Sequence, residues 1–168
     1  NQRNPISSIK SRVKSPSSIH GKLKRRGFPF TAESIVENLD DVAGVRVVCP
    51  FISDIYAVAQ LISSQDDITV LKIKDYIKNP KENGYRSYHM IVEVPVYFSD
   101  GKVPMRAEIQ IRTMGMDFWA SVDHQLHYKK ELISGTDISS IEQALCLCAE
   151  TVNETDSRME AIKDIIGN

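Results

Sequence analysis

No stretch of this sequence approaches the roughly 20 consecutive apolar residues that a membrane-spanning helix needs. Cysteine is also scarce: there are three, an odd number, without the spacing of a disulfide framework or of paired zinc ligands. The first fourteen residues contain no apolar segment of the kind that a signal peptide carries. We therefore expect no membrane-spanning segment, reduced thiols and a cytoplasmic location.

Acidic residues are absent from residues 1–32, which we call the basic segment. The whole chain carries 21 basic and 22 acidic residues, and its net charge of −1 hides this imbalance. The basic segment holds eight of the basic residues: Arg3, Lys10, Arg12, Lys14, Lys22, Lys24, Arg25 and Arg26. Such a concentration suits a polyanion, such as nucleotide phosphates, RNA or an anionic membrane. A solvated basic face without a partner is the alternative.

Turn and capping residues divide the 168-residue chain into helices and strands. Ser15 followed by Pro16 predicts the start of a helix, and Gly27 its end. Valine-rich or alternating runs predict strands at residues 42–49, 68–75, 87–98 and 103–113. Further helices are predicted at residues 53–63, capped by Ser53 or Asp54, and at residues 116–131 and 136–166, with a helical turn at 35–39. This order predicts an α/β (α+β) fold, a mixed β-sheet flanked by helices.

The last predicted strand has one wholly polar face. Asp100 and Gly101 predict a hairpin turn before it. Apolar and polar side chains then alternate, and the polar ones are Arg106, Glu108, Gln110 and Arg112. Burial of such a face without partners would be costly, so it is either exposed to solvent or the floor of a site. From this strand alone we expect exposure.

Two carboxylates indicate where chemistry could occur. Asp41 directly precedes the strand at residues 42–49, and Glu108 lies in the middle of the polar face. In nucleotide sites Mg²⁺ takes one or two carboxylates together with substrate phosphates. Phosphoryl-type transfer also needs cations that position the phosphates. The two carboxylates and the basic segment could supply both, if the fold brings them together.

Three runs of sequence carry a family resemblance. They are DVAGVR from Asp41, NGYRSYH from Asn83 and EIQIRT from Glu108. Together with KDY from Lys74 and residues of the basic segment, they follow the order and spacing of the synthetase domain of the RelA/SpoT family, over residues 4–129. In length the chain resembles the small alarmone synthetases of that family, which consist of this domain alone.

The resemblance implies a nucleotidyltransferase-like fold and the activity of a GTP pyrophosphokinase (GTP diphosphokinase) of the stringent response. Such an enzyme transfers the pyrophosphate of ATP to the 3′-hydroxyl of GDP or GTP and gives (p)ppGpp and AMP. Mg²⁺ is then the cofactor, the membrane is not a partner, and a homotetramer is expected through terminal helices. Residues 1–135 would form the synthetase domain, and residues 136–168 a C-terminal helix for packing or oligomerisation.

The resemblance also assigns individual residues. Asp41 and Glu108 would hold Mg²⁺, and Glu108 would also act as general base on the ribose 3′-hydroxyl. The residues expected to bind the ATP phosphates are Lys14, Ser18, Lys22 and Arg25. Arg12 and Arg46 would sandwich the adenine, since the guanidinium plane can stack. The residues expected to bind GDP or GTP are Lys81, Asn83, Tyr85, which would stack on guanine, His89, Gln110 and Asp117.

These assignments have alternatives. Arg46, in a strand, could be a buried ion-pair partner, and His89 a core histidine with satisfied hydrogen bonds. For the whole chain, the alternatives are a binder of nucleotides or single-stranded RNA, and a relative that pyrophosphorylates tRNA or makes adenosine analogues. The run KIKD from Lys72 leaves the preference between GDP and GTP open. A His-Asp motif of the family's hydrolase region is absent from the sequence, so we do not expect degradation of the alarmone.

Overall fold

The computed structural model describes residues 3–99, 101–130 and 138–167, with the side chains of residues 127–130 and 138 outside this description. The elements along the described chain are β1 (Ser8–Val13), α1 (Pro16–Arg26), α2 (Ala32–Asn38), β2 (Ala43–Cys49), α3 (Ile52–Ser63), β3 (Thr69–Asp75), β4 (Tyr88–Phe98), β5 (Gly101–Thr113), α4 (Met114–Lys130) and α5 (Ile138–Ile166).

The strands form one five-stranded mixed sheet in the order β1-β2-β5-β4-β3. β2 and β5 are parallel, and the other neighbouring pairs are antiparallel. The predicted hairpin joins β4 to β5, with Phe98 opposite Gly101, while Asp100 lies outside the described residues. The expected mixed sheet flanked by helices is confirmed, and β5 with its polar face lies at the centre of the sheet.

Strand β1 was not predicted from the sequence. Its six residues are all exposed and it pairs only with β2, at the edge of the sheet. Because neither face of β1 is buried, the alternation of apolar and polar residues that marks a half-buried strand is weak here. Its pairing with β2 places Lys10 opposite Arg46 and Arg12 opposite Gly44, so part of the basic segment becomes the rim of the sheet.

The main hydrophobic core lies between α3 and the apolar face of the sheet. The alternation predicted for the last two strands is confirmed, since Met90, Val92, Ile109 and Ile111 are buried in this core. Cys49 is fully buried with them, and burial raises the pKa of its thiol to about 12. This cysteine is therefore an inert packing residue rather than a nucleophile or metal ligand.

A smaller cluster fixes the basic helix α1. The caps predicted for α1 are confirmed: the Ser15 side chain accepts a hydrogen bond from the Ser18 backbone, and Gly27 ends the helix in the left-handed conformation with φ 76°. Ile19 and Leu23 of α1 pack with Leu39, which follows α2. The apolar side of α1 is thereby fixed, and its basic residues remain available on the other sides.

The predicted cap of α3 is wrong. Phe51 is the N-cap residue and provides no side-chain hydrogen bond. Asp54 instead accepts two hydrogen bonds from the Arg3 guanidinium, at 2.8 and 2.6 Å. The backbone N–H of Ser53 donates to the Glu160 carboxylate of α5 at 3.1 Å. A residue distant in sequence thus satisfies a helix-terminal N–H that a local cap usually satisfies.

The two C-terminal helices pack on each other, and α5 also packs on α3. α4 begins at Met114, directly after β5, because the Thr113 hydroxyl accepts a hydrogen bond from the Met116 backbone at 3.0 Å and caps the helix. The predicted start of the last helix, and the proposed boundary between residues 135 and 136, lie outside the described residues. No helix in the described part of the chain combines the length and apolarity needed to cross a membrane.

Candidate active site

A cleft of about 260 Å³ lies over the polar face of the sheet between β1, β2 and β5. Six of the residues predicted for the site line it: Arg12, Lys14, Asp41, Arg46, Glu108 and Gln110. The pairing of the strands explains why they meet. In the parallel pair, Gly44 lies opposite Glu108 and Arg46 opposite Gln110, and the side chains of alternate residues point to the same face. Asp41 lies just before β2, near the end of the strand pair at which Gly44 and Glu108 are opposite each other.

The polar face of β5 is not freely exposed, so the expectation from the strand alone is wrong. Arg112 is only 4% exposed, and the Glu108 side chain only 22%. The cost of burying these groups is offset because each finds hydrogen-bond partners on neighbouring strands and loops. The face is the floor of a polar site, which was the second possibility that its sequence left open.

Asp41 is the point where the basic segment meets the sheet. Lys14 and Lys22 both donate to its Oδ2 atom, the latter at 2.6 Å. Burial raises the pKa of Asp41, but the two lysine hydrogen bonds outweigh it and hold this pKa below its ordinary value. The other oxygen, Oδ1, is buried without a hydrogen-bond partner. The carboxylate therefore keeps one acceptor atom free for a cation or donor.

Glu108 accepts hydrogen bonds at both oxygens. His89 Nδ1 lies 3.1 Å from Oε1, and Gln110 Nε2 donates to Oε2 at 2.9 Å. The hydrogen bond from His89 lowers the pKa of Glu108, burial and the charge of Asp41 oppose this, and Gln110 lowers it further; the net pKa is below its ordinary value. Glu108 is thus ionised at neutral pH and lies within electrostatic reach of Asp41.

Five side chains form a closed ring of hydrogen bonds, which we call the polar ring: Tyr85, His89, Glu108, Gln110 and Arg112. Arg112 Nη2 donates to the Tyr85 hydroxyl at 2.7 Å and to Gln110 Oε1 at 2.8 Å. The Tyr85 hydroxyl lies 2.8 Å from His89 Nε2. Because a guanidinium can only donate, the Tyr85 oxygen accepts from Arg112, and its hydroxyl remains free to donate a hydrogen bond to His89 Nε2. The proton of neutral His89 then lies on Nδ1, which donates to Glu108.

Asp117 connects the polar ring to the cleft. Its Oδ1 atom lies 3.1 Å from Arg112 Nη1 and 3.2 Å from Arg46 Nη1. Arg46 is therefore an ion-pair partner, as one alternative foresaw, but it is not buried: its side chain is 38% exposed and lines the cleft. His89 is satisfied at both ring nitrogens, as its alternative foresaw, although both of its partners are predicted site residues.

The loop between β3 and β4 carries the other predicted acceptor residues. The Asn83 side chain accepts a hydrogen bond from the Tyr85 backbone at 3.2 Å. The ammonium of Lys81 lies 4.8 Å from the centroid of the Tyr85 ring and 5.0 Å from that of Tyr76. Tyr76 in turn meets His89 edge to face, with ring centroids 5.2 Å apart. Aromatic and cationic groups thus cluster beside the polar ring.

Three predicted ATP ligands, Ser18, Lys22 and Arg25, are not among the described residues that line the cleft. Ser18 and Arg25 are exposed on α1. The Ser18 hydroxyl lies 2.9 Å from Ser15 Oγ, within the cap of the helix. Their spacing from Lys22, four residues before it and three after, puts all three on one side of α1. Lys22 reaches Asp41 from that side.

Sequence reasoning missed three residues of the site. Arg112 joins the polar ring to Asp117, Tyr76 lies against His89 and Lys81, and Lys10 lines the cleft. The signal for Arg112 was present, because it belongs to the polar face of β5 and to the run EIQIRT. Lys10 could not be placed without β1.

The donor set fits Mg²⁺ with a nucleotide. No group of three or more histidine, cysteine or acidic side chains suited to hold a metal exists among the described residues, which argues against a site made by protein ligands alone. A magnesium ion on phosphates needs only one or two carboxylates. Asp41, with its unpartnered buried oxygen, and ionised Glu108 are available for that role in the same cleft.

Comparisons with known proteins show the family of the chain. The model of the region found in RelA / SpoT proteins matches residues 11–132. The chain is 44% identical over 160 residues to the GTP pyrophosphokinase YwaC of Bacillus subtilis, which covers 95% of this chain and 75% of the relative. It is 36% identical over 159 residues to the GTP pyrophosphokinase YjbM of the same organism, and this match covers 95% of this chain and 72% of the relative.

A solved structure gives the same result. The crystal structure of the small alarmone synthetase 1 from Bacillus subtilis, bound to its product pppGpp, superposes with a TM-score of 0.86 at 35% identity. The match covers 99% of this chain and 83% of that one. The similarity therefore extends over nearly the whole fold and includes every strand that lines the cleft.

Proposed function

The chain belongs to the RelA/SpoT family, and from this we propose that it is a GTP pyrophosphokinase. It transfers the β,γ-pyrophosphate of ATP to the ribose 3′-hydroxyl of GDP or GTP and releases AMP and (p)ppGpp. The observation that carries the proposal is the cleft itself, in which Asp41, Glu108 and the cations of the basic segment meet over one polar sheet face.

We propose Mg²⁺ as the cofactor, held by Asp41 and Glu108. When bound with ATP, it neutralises charge on the phosphates during transfer. Lys14 and Lys22 then exchange their hydrogen bonds with Asp41 for contacts to phosphate oxygens. Ser18 and Arg25 extend the same basic side of α1 toward the triphosphate. The two lysine ammonium groups keep a negative partner in this exchange, because they leave the Asp41 carboxylate for the phosphates.

The adenine is proposed to lie between Arg12 and Arg46. Both guanidinium groups border the cleft, and the Arg46 Nε atom is buried without a hydrogen-bond partner. A planar cation suits an aromatic base, because it stacks on the ring and retains its donors at the edge. Arg46 also pairs with Asp117, which fixes the orientation of its plane.

The acceptor nucleotide is proposed to occupy the other end of the polar face. Tyr85 would stack on guanine, while Lys81, Asn83, His89, Gln110 and Asp117 would fix the rest of the nucleotide. Glu108 would accept the proton of the 3′-hydroxyl. Each of its oxygens accepts one hydrogen bond in the structure, and because a carboxylate oxygen has two lone pairs, one of them can still accept from the hydroxyl.

The test is product analysis with labelled ATP, Mg²⁺ and either GDP, GTP or tRNA as acceptor. We expect AMP and a guanosine nucleotide with a 3′-pyrophosphate, and Glu108→Gln should lower kcat by at least about 100-fold, the usual contribution of a general base. Glu93→Gln is the matched control. Glu93 lies on β4 opposite Arg106, a member of the polar face of β5, and it is not among the residues that line the cleft. The kcat of this variant should be unchanged. Full activity of Glu108→Gln would refute the role of Glu108.

The same assay distinguishes alarmone synthesis from the alternative in which the protein pyrophosphorylates tRNA. Transfer to tRNA that GDP does not inhibit would favour the tRNA-modifying alternative over alarmone synthesis.

We further propose that the exposed cations of the basic segment bind single-stranded RNA. Lys10, Lys24, Arg25 and Arg26 are exposed, and few aromatic side chains accompany them, namely Phe28 and Phe30. Binding should therefore be mainly electrostatic, with affinity that falls steeply with salt. Filter binding across a salt series tests this, and absent or salt-independent binding would remove the idea.

Finally, we propose a cytoplasmic homotetramer that uses α5. This helix exposes four large apolar residues near its end: Met159, Ile162, Ile165 and Ile166. A stripe of this kind is costly in water and favours burial against another copy. Light scattering during gel filtration gives the mass directly; a monomer at micromolar concentration would contradict the proposal.

A further inference from the structure

Helix α5 packs directly on the loop that carries Tyr85. Gly84, the residue before Tyr85, has φ 85°, and a Cβ atom added to it would lie 2.6 Å from the Ala149 Cβ and 3.5 Å from the Cys146 Cα. Backbone and helix are therefore in contact with no room for a side chain. Ala149 itself is only 4% exposed.

The residue after Tyr85 makes a second contact with the same turn of α5. The guanidinium of Arg86 lies 3.4 Å from the carbonyl oxygens of both Gly84 and Ala149. One turn earlier, the indole N–H of Trp119 on α4 donates to the Leu145 carbonyl at 2.9 Å. The loop on either side of Tyr85 is thus held against a helix turn that is itself fixed to α4.

A separate set of contacts holds α5 to the end of β5. Thr113, the residue after Arg112, is fully buried, and its hydroxyl donates to Asp156 at 2.5 Å. A Cβ atom on Gly115 would lie 2.8 Å from Val152 Cγ1. The backbone next to Arg112 is therefore fixed to α5 as closely as the backbone next to Tyr85.

These two sets of contacts meet in one hydrogen bond of the polar ring. Arg112 donates to the Tyr85 hydroxyl at 2.7 Å, and the main chain beside each partner rests on α5. The described residues that line the cleft all lie outside α5. The helix therefore acts on the site indirectly, through the positions of these two backbones and through its packing on α4.

We propose that α5 is the positioning element of the acceptor half of the site. Ala149 and Arg86 hold the backbone beside Tyr85 in the position in which the Tyr85 ring can stack on the guanine base. The inference rests on the proposed function, since it assigns Tyr85 to the acceptor. It predicts that a change in the contact between Ala149 and Gly84 weakens acceptor binding. ATP binding should be unaffected, because the residues proposed to bind ATP lie on β1, β2 and α1 or directly beside them.

The test compares two alanine-to-leucine changes on the same helix. Ala149→Leu pushes the loop away from α5, whereas Ala144→Leu adds the same volume at an exposed position. We expect Ala149→Leu to raise the KM for GDP about tenfold or more, since small displacements of binding groups have effects of this size. The KM for ATP should change less than about twofold, and Ala144→Leu should leave both values unchanged.

A change at Arg86 provides a second variant, in case Ala149→Leu does not fold. Because one nitrogen, Nη1, makes both contacts and a lysine ammonium could reproduce them, the variant used is Arg86→Met rather than Arg86→Lys. Methionine keeps much of the side-chain volume but donates no hydrogen bond, so the KM for GDP should rise while the KM for ATP does not. Titration of each folded variant with GDP alone, followed by the fluorescence of Trp119, the single tryptophan, measures acceptor affinity without turnover.

Three outcomes are distinguishable. Weaker GDP binding with intact ATP binding supports the inference. GDP affinity equal to that of the unmodified protein in either folded variant, or equal losses for GDP and ATP, would overturn it. If the unmodified protein forms no product from ATP and any guanosine acceptor, the proposed function fails, whereas the fluorescence titration still decides whether α5 controls nucleotide affinity.

Discussion

At the residue scale, Arg112 holds the acceptor half of the site together. Three of its hydrogen bonds reach the Tyr85 hydroxyl, Gln110 and Asp117, and a fourth reaches the Ser87 hydroxyl. Because its guanidinium is charged and buried, these hydrogen bonds are strong. Asp41 plays the corresponding part at the donor end, where it gathers Lys14 and Lys22. The acceptor and donor halves of the site are thus organised by one buried cation and one half-buried anion.

Arg112→Lys tests this role. An ammonium group cannot reach three acceptors in the plane of the guanidinium fork, so Tyr85 and Gln110 lose a charged donor. We expect kcat/KM for GDP to fall about 10- to 100-fold, the range for hydrogen bonds to charged groups. Steady-state kinetics with each substrate varied in turn provides the measurement.

Arg106→Lys is the control for that change, because Arg106 lies on the same face of β5 but pairs with Asp40 at the surface. Its kinetics should resemble those of the unmodified protein. A comparable loss in both variants would mean that Arg112 acts through general stability of the strand rather than through the polar ring.

At the element scale, the parts of the fold with a local signal were predictable. The caps of α1 and the alternation in β4 and β5 depend on residues next to one another, and the structure confirms them. β1 was not predicted, and the predicted cap of α3 was wrong. β1 is exposed on both faces, and the cap of α3 comes from Glu160, more than a hundred residues away.

Asp156 makes the attachment of α5 to β5 sensitive to pH. Burial raises the pKa of Asp156, and the hydrogen bond from Thr113 offsets this only in part. A carboxyl whose folded-state pKa lies above its unfolded value stabilises the fold below the unfolded pKa, and this contribution is lost as the pH rises through the folded pKa. Ionised Asp156 at neutral pH is therefore a small cost to stability.

Asp156→Asn should remove that cost. The asparagine oxygen can still accept from Thr113, but it does not ionise. We expect the Tm of the variant relative to the unmodified protein to increase from pH 4 to pH 7, by a few degrees at most. Thermal unfolding at several pH values measures this; a relative Tm that decreases as the pH rises would contradict the sign.

At the scale of the whole molecule, the site depends on pairings that local sequence patterns do not reveal. The parallel pairing of β2 with β5 brings Asp41 and Glu108 to one cleft although 67 positions separate them in the numbering. Composition permitted that encounter, and the resemblance of the motifs to a family implied it. The role of α5 needed the tertiary contacts themselves. The alternation in β5 marks Arg112 as part of the polar face, but its partners Tyr85 and Asp117 are seen only in the fold.

The central claim of this account is that Asp41 and Glu108 share one divalent cation with the phosphates of ATP. Diffraction at a wavelength where manganese scatters anomalously, from crystals grown with Mn²⁺ and a non-hydrolysable ATP analogue, tests it most directly. We predict one anomalous peak about 2.1 Å from a carboxylate oxygen of each residue and from phosphate oxygens, the distance usual for small octahedral cations. A peak bound to only one of the two carboxylates, or a nucleotide bound without any cation between them, would contradict the account.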